Sequence, residues 1–538
     1  MAKKYIGITI GPIVKTLMLT TTPAGSWGAS YIFSYFTKKL VEKLRGYIDK
    51  EKFLVPAQND EVEKIVSECP WAGLYHDRII FEIESEEGIL EKVKGCIDEV
   101  KEELGKELAN NLEKENPSLS KKIKEYIKNY IQVHAVLKEV EKNPIIELGK
   151  PLDVLELQQG YISKEEINYI LKFLENRDSL QGKKGEDRNS VIKNSFLIKT
   201  GSDTKTNPDI RWHFLDDKKE NSILTIDDIV GVGQTEVKSN AQRKRYYALV
   251  NADGDNLGKV LSAMNEECSN EKELAERIKE FSTQCFRYAK EAFEIVEKYG
   301  GKMIYAGGDD LLFIAPVVKP EEDKDNIFSL LKSLGEEFAK CFEKFSFMED
   351  NNKKKMGFSA GVMLCYYKYP LNEALSEVLN QLQNSKKVTE KNTISVHFEK
   401  HSGKQRSLQF KDFTNHSILG NVLELLDKHT KSETGVDFLR SVGKKMDLYK
   451  SVFIEALKKS DEKDFSYLHR VTENLFEEYP GIFNENDSGI SEEAKYIGRI
   501  IEILEEIYKV NDKKEEESLK EIETIIGLLS FYNEKETE

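Results

Sequence analysis

Two groups of acidic residues stand out by their spacing. In YYALVNADGDN an apolar, β-favouring run from Tyr246 to Val250 gives out at Asp253, Gly254 and Asp255, and LGKVLSAM follows with helical spacing, so these acids are expected at a strand-to-helix turn. Further on, Met303–Ala306 and Leu311–Ala315 are short apolar runs separated by Gly307, Gly308, Asp309 and Asp310, which is hairpin punctuation. If the two strands are neighbours in one sheet, Asp253, Asp309 and Asp310 converge at one edge. Carboxylates so placed repel one another until divalent cations, Mg²⁺ or Mn²⁺, neutralise them. The expected chemistry is therefore metal-assisted handling of a polyphosphate. Either motif alone is explained as well by turn formation; the pairing favours a site.

The glycines and flanking residues extend this reading. Gly254 and the amides at the start of the following helix would cradle phosphate oxygens, because a helix N-terminus presents free N–H groups and positive dipole. Gly307 and Gly308 would let backbone and substrate approach closely. Asp255 and Asn256 either join the nucleotide site or cap the helix.

Several elements must hold these residues in place. The chain opens on a strand, Tyr5–Ile10, followed by Gly11-Pro12 and an amphipathic helix through Trp27 and Tyr31. Residues 86–142 are Glu/Lys-rich with helical spacing, and Tyr130–Leu137 reads as a strand. The pattern then loosens: LELQQGYISKEEINYILKFL suggests a strand and a helix, followed by polar loops. After GGDD come an amphipathic helix (Ile327–Phe345), a small-residue strand (Met356–Tyr366) and a helix ending in Asn384-Ser385-Lys386-Lys387. From about Ser407 the pattern is almost wholly helical.

With 538 residues there is length for three or four domains with real cores. The balance of 80 Lys plus Arg against 95 Asp plus Glu, a net charge of −15, argues against a protein that coats nucleic acid unaided, but permits a local basic groove within a complex. Cys69, Cys96, Cys268, Cys285, Cys341 and Cys365 form no CxxC pair, so neither a zinc knuckle nor a disulfide framework is expected, and the thiols read as reduced and intracellular. With no signal-peptide core and no bilayer-spanning apolar run, the chain is expected to be soluble and cytoplasmic, with no membrane partner.

ADGDN and GGDD, with a basic helix end and a later strand, Ser385–Val396, resemble the GGDEF-like palm of nucleotidyl cyclases and diguanylate-cyclase-type enzymes. Upstream, the Gly11-Pro12-Ile13 turn, Trp27-Gly28-Ala29-Ser30-Tyr31 and Gly73-Leu74-Tyr75 resemble the first palm of the large polymerase-cyclase subunit of type III CRISPR effector complexes, Cmr branch. Together these markers span residues 1 to about 400. The resemblance implies an α+β chain: a first ferredoxin-like palm with a helical insertion over 1–143, a small connector domain over 144–241, a second palm with the GGDD site over 242–404 and a C-terminal helical bundle over 405–538. It also implies an RNA-guided antiviral complex as the setting, with other Cmr subunits, a CRISPR guide RNA and a target RNA as partners. The implied activity is a pyrophosphate-releasing nucleotidyltransferase that uses ATP, with Asp253, Asp309 and Asp310 as catalytic metal ligands. Lys387, with Lys386 beside it, takes the place of a lysine that contacts the triphosphate; a solvated helix end would explain it too.

That family usually begins with a histidine-aspartate nuclease domain. Here the one His-Asp dipeptide, His76-Asp77, lacks the further ligands that a metal nuclease needs, so it reads as a turn and no DNA cleavage is expected. The zinc-knuckle cysteines of many relatives are also missing, which leaves the connector to be held by packing. Two products stay open: cyclic oligoadenylate, or AMP joined to S-adenosylmethionine as co-substrate. Asp77 lies after Gly73-Leu74-Tyr75 where many relatives show Pro-Asn-Arg, and an acid there would hold an ammonium or sulfonium group. With the nuclease domain missing, this tilts the expectation slightly to S-adenosylmethionine; a solvent-exposed turn aspartate is the plain alternative. A catalytically inactive RNA-binding scaffold would have no need of clustered carboxylates, which cost stability without metal. A stand-alone diguanylate cyclase would leave the first palm and the bundle without a purpose.

Overall fold

The computed structural model describes residues 3–70, 72–85, 87–109, 117–158, 168–170, 215–216, 222–231, 245–319, 325–389, 391–414, 417–429, 436–460, 464–484, 489–512 and 514–533. Strands β1 (Lys3–Gly11), β2 (Phe53–Val55), β3 (Arg78–Ile83) and β4 (Gln132–Val140) form an antiparallel sheet ordered β2-β3-β1-β4. Period-two alternation divides β1: Ile6, Ile8 and Ile10 share a core with Trp27, Ile32 and Phe33 of the Pro23–Leu44 helix, while Gly7 faces Leu148 and Leu152 of the Pro144–Glu156 helix. That second helix, placed by its sequence in the connector, thus covers the first sheet. The rest of the connector shows a small hairpin, β5 (Leu215–Asp216) and β6 (Ser222–Ile223), and a short helix, Ile226–Ile229, capped by Thr225. Most of the strand and helix expected over residues 155–174 lies outside the described residues.

The second sheet uses β7 (Tyr246–Asp255), β8 (Lys302–Gly307), β9 (Asp310–Pro316), β12 (Gly357–Tyr366), β13 (Ile394–Glu399) and β14 (Gln405–Phe410), ordered β14-β13-β12-β7-β9-β8; β10 (Ser346–Glu349) and β11 (Asn352–Lys355) form a separate hairpin. In both sheets the first strand lies between the third and fourth and the second lies outside the third, counting β7, β8, β9 and β12 in the second. This is the order of a ferredoxin-like βαββαβ unit. The chain therefore contains two palm-like units. Gln405–Phe410, expected at the opening of the helical bundle, is an edge strand instead: Leu408 and Phe410 alternate inward and it pairs with β13 along its length. Helices follow at Ile418–His429, Val436–Leu448, Lys450–Lys458, Ser466–Leu475, Glu492–Val510 and Glu515–Asn533. The last docks on the second sheet, with Phe531 4.8 Å from the Tyr246 ring and 4.6 Å from Phe398.

One long helix, Glu271–Tyr299, capped by Asn270 and ended by Gly300 in the left-handed region (φ 101), fastens the palms together. The Ala57 N–H donates to Ser282 Oγ at 3.0 Å and the Asn59 amide to Thr283 Oγ1 at 2.9 Å. Lys290 pairs with Glu68 at 2.7 Å, and Tyr75 packs edge-on against Phe286 at 5.5 Å. Among the described residues, no helix is long and apolar enough to cross a membrane.

Candidate active site

β7 sets the site. Its alternation puts Tyr246, Ala248, Val250 and Ala252 into one core with Phe281 and Tyr288, and Tyr247, Leu249, Asp253 and Asp255 on the opposite face. The strand does not stop with its apolar run, as expected, but continues through Asp255. Asp253 pairs with Ser359 and Asp255 with Gly357 of β12, and that neighbouring strand, not side-chain polarity, decides where β7 ends. Asn256 (φ 65) precedes the Leu257–Glu267 helix and makes no side-chain cap. Asp255 does not cap either. Fully buried, it accepts from Ser359 Oγ at 2.6 Å and the Asn392 N–H at 2.8 Å, and pairs with Lys386 at 2.8 Å.

Gly307 pairs with Asp310 across a turn made of Gly308, in the left-handed region (φ 74), and Asp309. This tight hairpin, next to β7, brings the second acid pair to the end of the first. Asp253, Asp309 and Asp310 each offer an oxygen within 4.8 Å of the others. Burial and the charge of Asp253 push the Asp309 carboxyl up to about 7 and the Asp310 carboxyl well above the usual range. An all-carboxylate set this crowded fits a hard divalent cation such as Mg²⁺ or Mn²⁺.

Gly254 and Gly307 also make room for protein groups, while a Cβ on Gly308 would meet open space. A Cβ on Gly254 would stand 2.5 Å from Asp309 Oδ2, and one on Gly307 would stand 2.0 Å from the Tyr305 hydroxyl. The room they leave is taken by protein groups that shape the site.

Lys386 reaches the acids and Lys387 does not. The Lys386 Nζ lies 2.7 Å from Asp253 Oδ2 and donates to the Asp253 and Gly254 carbonyls at 3.1 and 2.8 Å. Burial opposes its charge, but Asp253 and Asp255 outweigh that and hold its pKa above the ordinary lysine value. Lys387, about 100° further round the helix, bonds to Asn384 at 3.3 Å. Gly361 lets that helix sit close: a Cβ there would be 2.3 Å from the Leu382 backbone nitrogen.

On the first palm, Asp77 immediately precedes β3 and is half-buried; burial, with Glu156 adding and Arg78 opposing, pushes its carboxyl up to about 6. Arg78 is engaged by Asp153 at 2.5 Å and Glu156 at 3.0 Å. His76 belongs to the turn: its Nδ1 accepts the Arg78 N–H at 3.2 Å, and burial together with Arg78 lowers its pKa to about 4. One residue missed in the sequence reading, Tyr305, is half-buried and lays its phenol over Gly307. Burial, then Asp310, Asp77, Asp309 and Asp253, raise the pKa of Tyr305, whose phenol therefore lies within electrostatic reach of both sides.

With this geometry in place, comparison with known proteins is informative. Residues 246–395 match the family model described as Cas10/Cmr2, second palm domain. The second sheet and its helices are thus similar to a Cas10/Cmr2 palm. Over 208 residues it is 30% identical to "CRISPR system Cmr subunit Cmr2" of Pyrococcus furiosus, a match spanning 35% of this chain and 22% of that protein. The chain also shares its fold with a type III-B Cmr-beta chain solved by cryo-EM in the apo state (12% identity, TM-score 0.54, covering 92% of this chain and 78% of that one). A chain of the Csm1-Csm4 cassette crystallised with cA4 is similar too (13% identity, TM-score 0.52, covering 99% and 70%).

Proposed function

We propose that this chain is an ATP-dependent nucleotidyltransferase that makes a nucleotide second messenger within a type III CRISPR complex when target RNA is bound. The convergence of Asp253, Asp309 and Asp310 at one sheet edge carries this reading. A ribose hydroxyl of the acceptor attacks the α-phosphate of ATP and pyrophosphate leaves. Bound Mg²⁺ or Mn²⁺ would neutralise charge on the phosphates and ease deprotonation of the attacking hydroxyl. The three aspartates hold that charge in place, and Lys386 fixes Asp253 while Ser359 and Asn392 fix Asp255 behind it. Positioning and charge supply most of the acceleration, because phosphoryl transfer asks little else of a protein. The C-terminal bundle serves as a docking module for other Cmr subunits and the guide–target duplex. Purified complex, matching RNA and labelled ATP, with and without S-adenosylmethionine, test the whole reading; no phosphorylated product under either condition refutes it.

The acceptor favoured on the Asp77 side is S-adenosylmethionine. Among the described residues no cation pairs with Asp77 within ion-pair distance, while its neighbour Arg78 is engaged by Asp153 and Glu156. Asp77→Asn keeps shape and loses charge. It is expected to weaken S-adenosylmethionine binding roughly ten- to hundredfold and leave ATP binding unchanged, and wild-type binding should fall below about pH 6 as Asp77 takes up its proton. Equal loss for both ligands would make Asp77 a structural turn residue. No wild-type binding of S-adenosylmethionine would hand the acceptor role to a second ATP and the product to the cyclic oligoadenylate class, the class of the cA4 in the Csm1-Csm4 crystal.

A further inference from the structure

At the end of the second sheet farthest from the acid triad, where β7 begins and β12 ends, three rings touch. The turn between β13 and β14, with Gly403 in the left-handed region (φ 79), brings His401 onto Tyr366 with 4.4 Å between ring centroids and 31° between planes, and Tyr366 in turn lies 4.6 Å from Tyr367. The turn is fixed in place: the His401 N–H donates to the Tyr246 hydroxyl at 2.9 Å and the Gly403 N–H to the Lys400 carbonyl at 2.8 Å. One face of the imidazole rests on Tyr366, and because His401 is exposed the other meets water. Cations stand beside the rings. Lys368 holds its ammonium 5.3 Å from the centre of the Tyr367 ring, the Tyr367 N–H donates to the Arg245 carbonyl at 2.9 Å, and Arg245, Lys368 and Lys404 are all exposed. Of the acids nearby, Glu399 accepts from the Gln405 amide at 3.2 Å, and Asp227 acts on Lys368 from beyond ion-pair distance. In a chain with a net charge of −15, exposed cations gathered around an open ring are a local exception that favours a polyanion with flat groups.

We propose that this end of the second palm binds a single-stranded stretch of nucleic acid, one base stacking on the open face of His401 and the flanking phosphates lying against Lys368 and Lys404. The ring set gives a base a surface to extend, and such stacking accepts any base because every base has a π-face. A double helix keeps its bases covered, so the surface selects an unpaired strand. An acidic protein partner would use the lysines and leave the imidazole idle. The place is separate from the acid triad: the register that sets Tyr366 against Tyr246 sets Gly357 against Asp255 at the other end of the same strand pair, about 30 Å along the strands. The inference therefore stands or falls independently of nucleotidyl transfer.

The test uses the full chain in EDTA, which takes the metal site out of play, with labelled oligouridylate, oligodeoxythymidylate and an abasic strand of equal length as probes and polyglutamate as competitor. Wild type is expected to bind the base-bearing strands more tightly than the abasic one, and the two sugars tell RNA from DNA as the occupant, either of which supports the surface. His401→Ala keeps the backbone bond to Tyr246 and so the turn; it should weaken the base-bearing strands roughly five- to hundredfold and leave the abasic strand unchanged, and His401→Tyr should restore the loss. Lys368→Ala with Lys404→Ala should weaken all three strands and lower the slope of log affinity against log salt by about 1.4. Equal binding of base-bearing and abasic strands by wild type, an affinity that His401→Ala does not change, a loss that His401→Tyr does not restore, or no binding by wild type overturns the assignment. So does polyglutamate that competes as well as an oligonucleotide, which would make this a protein-docking surface.

Discussion

Replacing Asp309 and Asp310 together by alanine is expected to reduce product formation to background while the complex still binds its target RNA, since these side chains hold charge at the hairpin tip and their hydrogen bonds, Asp309 to its own backbone and Asp310 to Asp253, stay within the site. The same variant makes a second, opposite-signed prediction. Without divalent cation, Asp309 and Asp310 stand half-buried among like charges, with Asp309 pushed up to about 7. A carboxyl whose pKa is raised by folding contributes stability that is present below its unfolded value and is lost as pH rises through the folded value. Metal-free wild type should therefore lose stability between about pH 4 and 7, and the alanine variant should melt higher than wild type at pH 8 in EDTA. Saturating Mn²⁺ should reverse that order by stabilising wild type alone. Proton–metal competition adds that wild-type Mn²⁺ affinity falls as pH drops below about 7. Undiminished product, or Mn²⁺ stabilising both proteins equally, would remove the acids from the metal site.

Lys386→Met should have the largest effect on folding of any single change at the site. Lys386 is the cation that compensates Asp255, whose side chain is 0% exposed. Taking one partner from a buried pair leaves an uncompensated charge and costs about 3 kcal/mol. No contribution is assigned to Asp253, which water can screen. Lys387→Met should be nearly neutral, as among the described residues its amine reaches only Asn384. Denaturant melts of both variants decide the matter, and equal stabilities would mean that Lys386 is solvated and the ion pair incidental.

Local patterns in the sequence pointed to the acids but not to their supports. Alternation in Tyr246–Val250 and the Gly-Gly-Asp-Asp punctuation were enough to bring Asp253, Asp309 and Asp310 together, because a strand's period and a tight turn are set by a few neighbouring residues. The end of β7 was not legible, since it depends on pairing with β12, a hundred residues away. Two adjacent lysines look alike in sequence, and only the helix turn fixed by close packing at Gly361 points Lys386 at the site. Tyr305 was hidden for the same kind of reason: a tyrosine in an apolar run carries no local sign that a second palm lies across from it. Gln405–Phe410 lost its strand character to the helical pattern that follows, although its pairing with β13 is regular.

The repeated strand order gives the molecule a polarity. In the first palm Thr9 faces Arg78 across β1 and β3, and Asp77 comes just before; in the second, the register that sets Ala252 against Leu311 brings Asp253 opposite Asp310, with Asp309 just before. Thr9, Asp77 and Arg78 therefore stand where Asp253, Asp309 and Asp310 stand, and a guanidinium tied to Asp153 and Glu156 takes the place of an acid that would help bind a cation. A pair of identical palms could run its reaction in either direction across the cleft. Here one half carries the anionic triad and the other fills the matching position with a guanidinium, so a divalent cation can be held on one side alone, and on the proposed function the phosphate to be broken lies there.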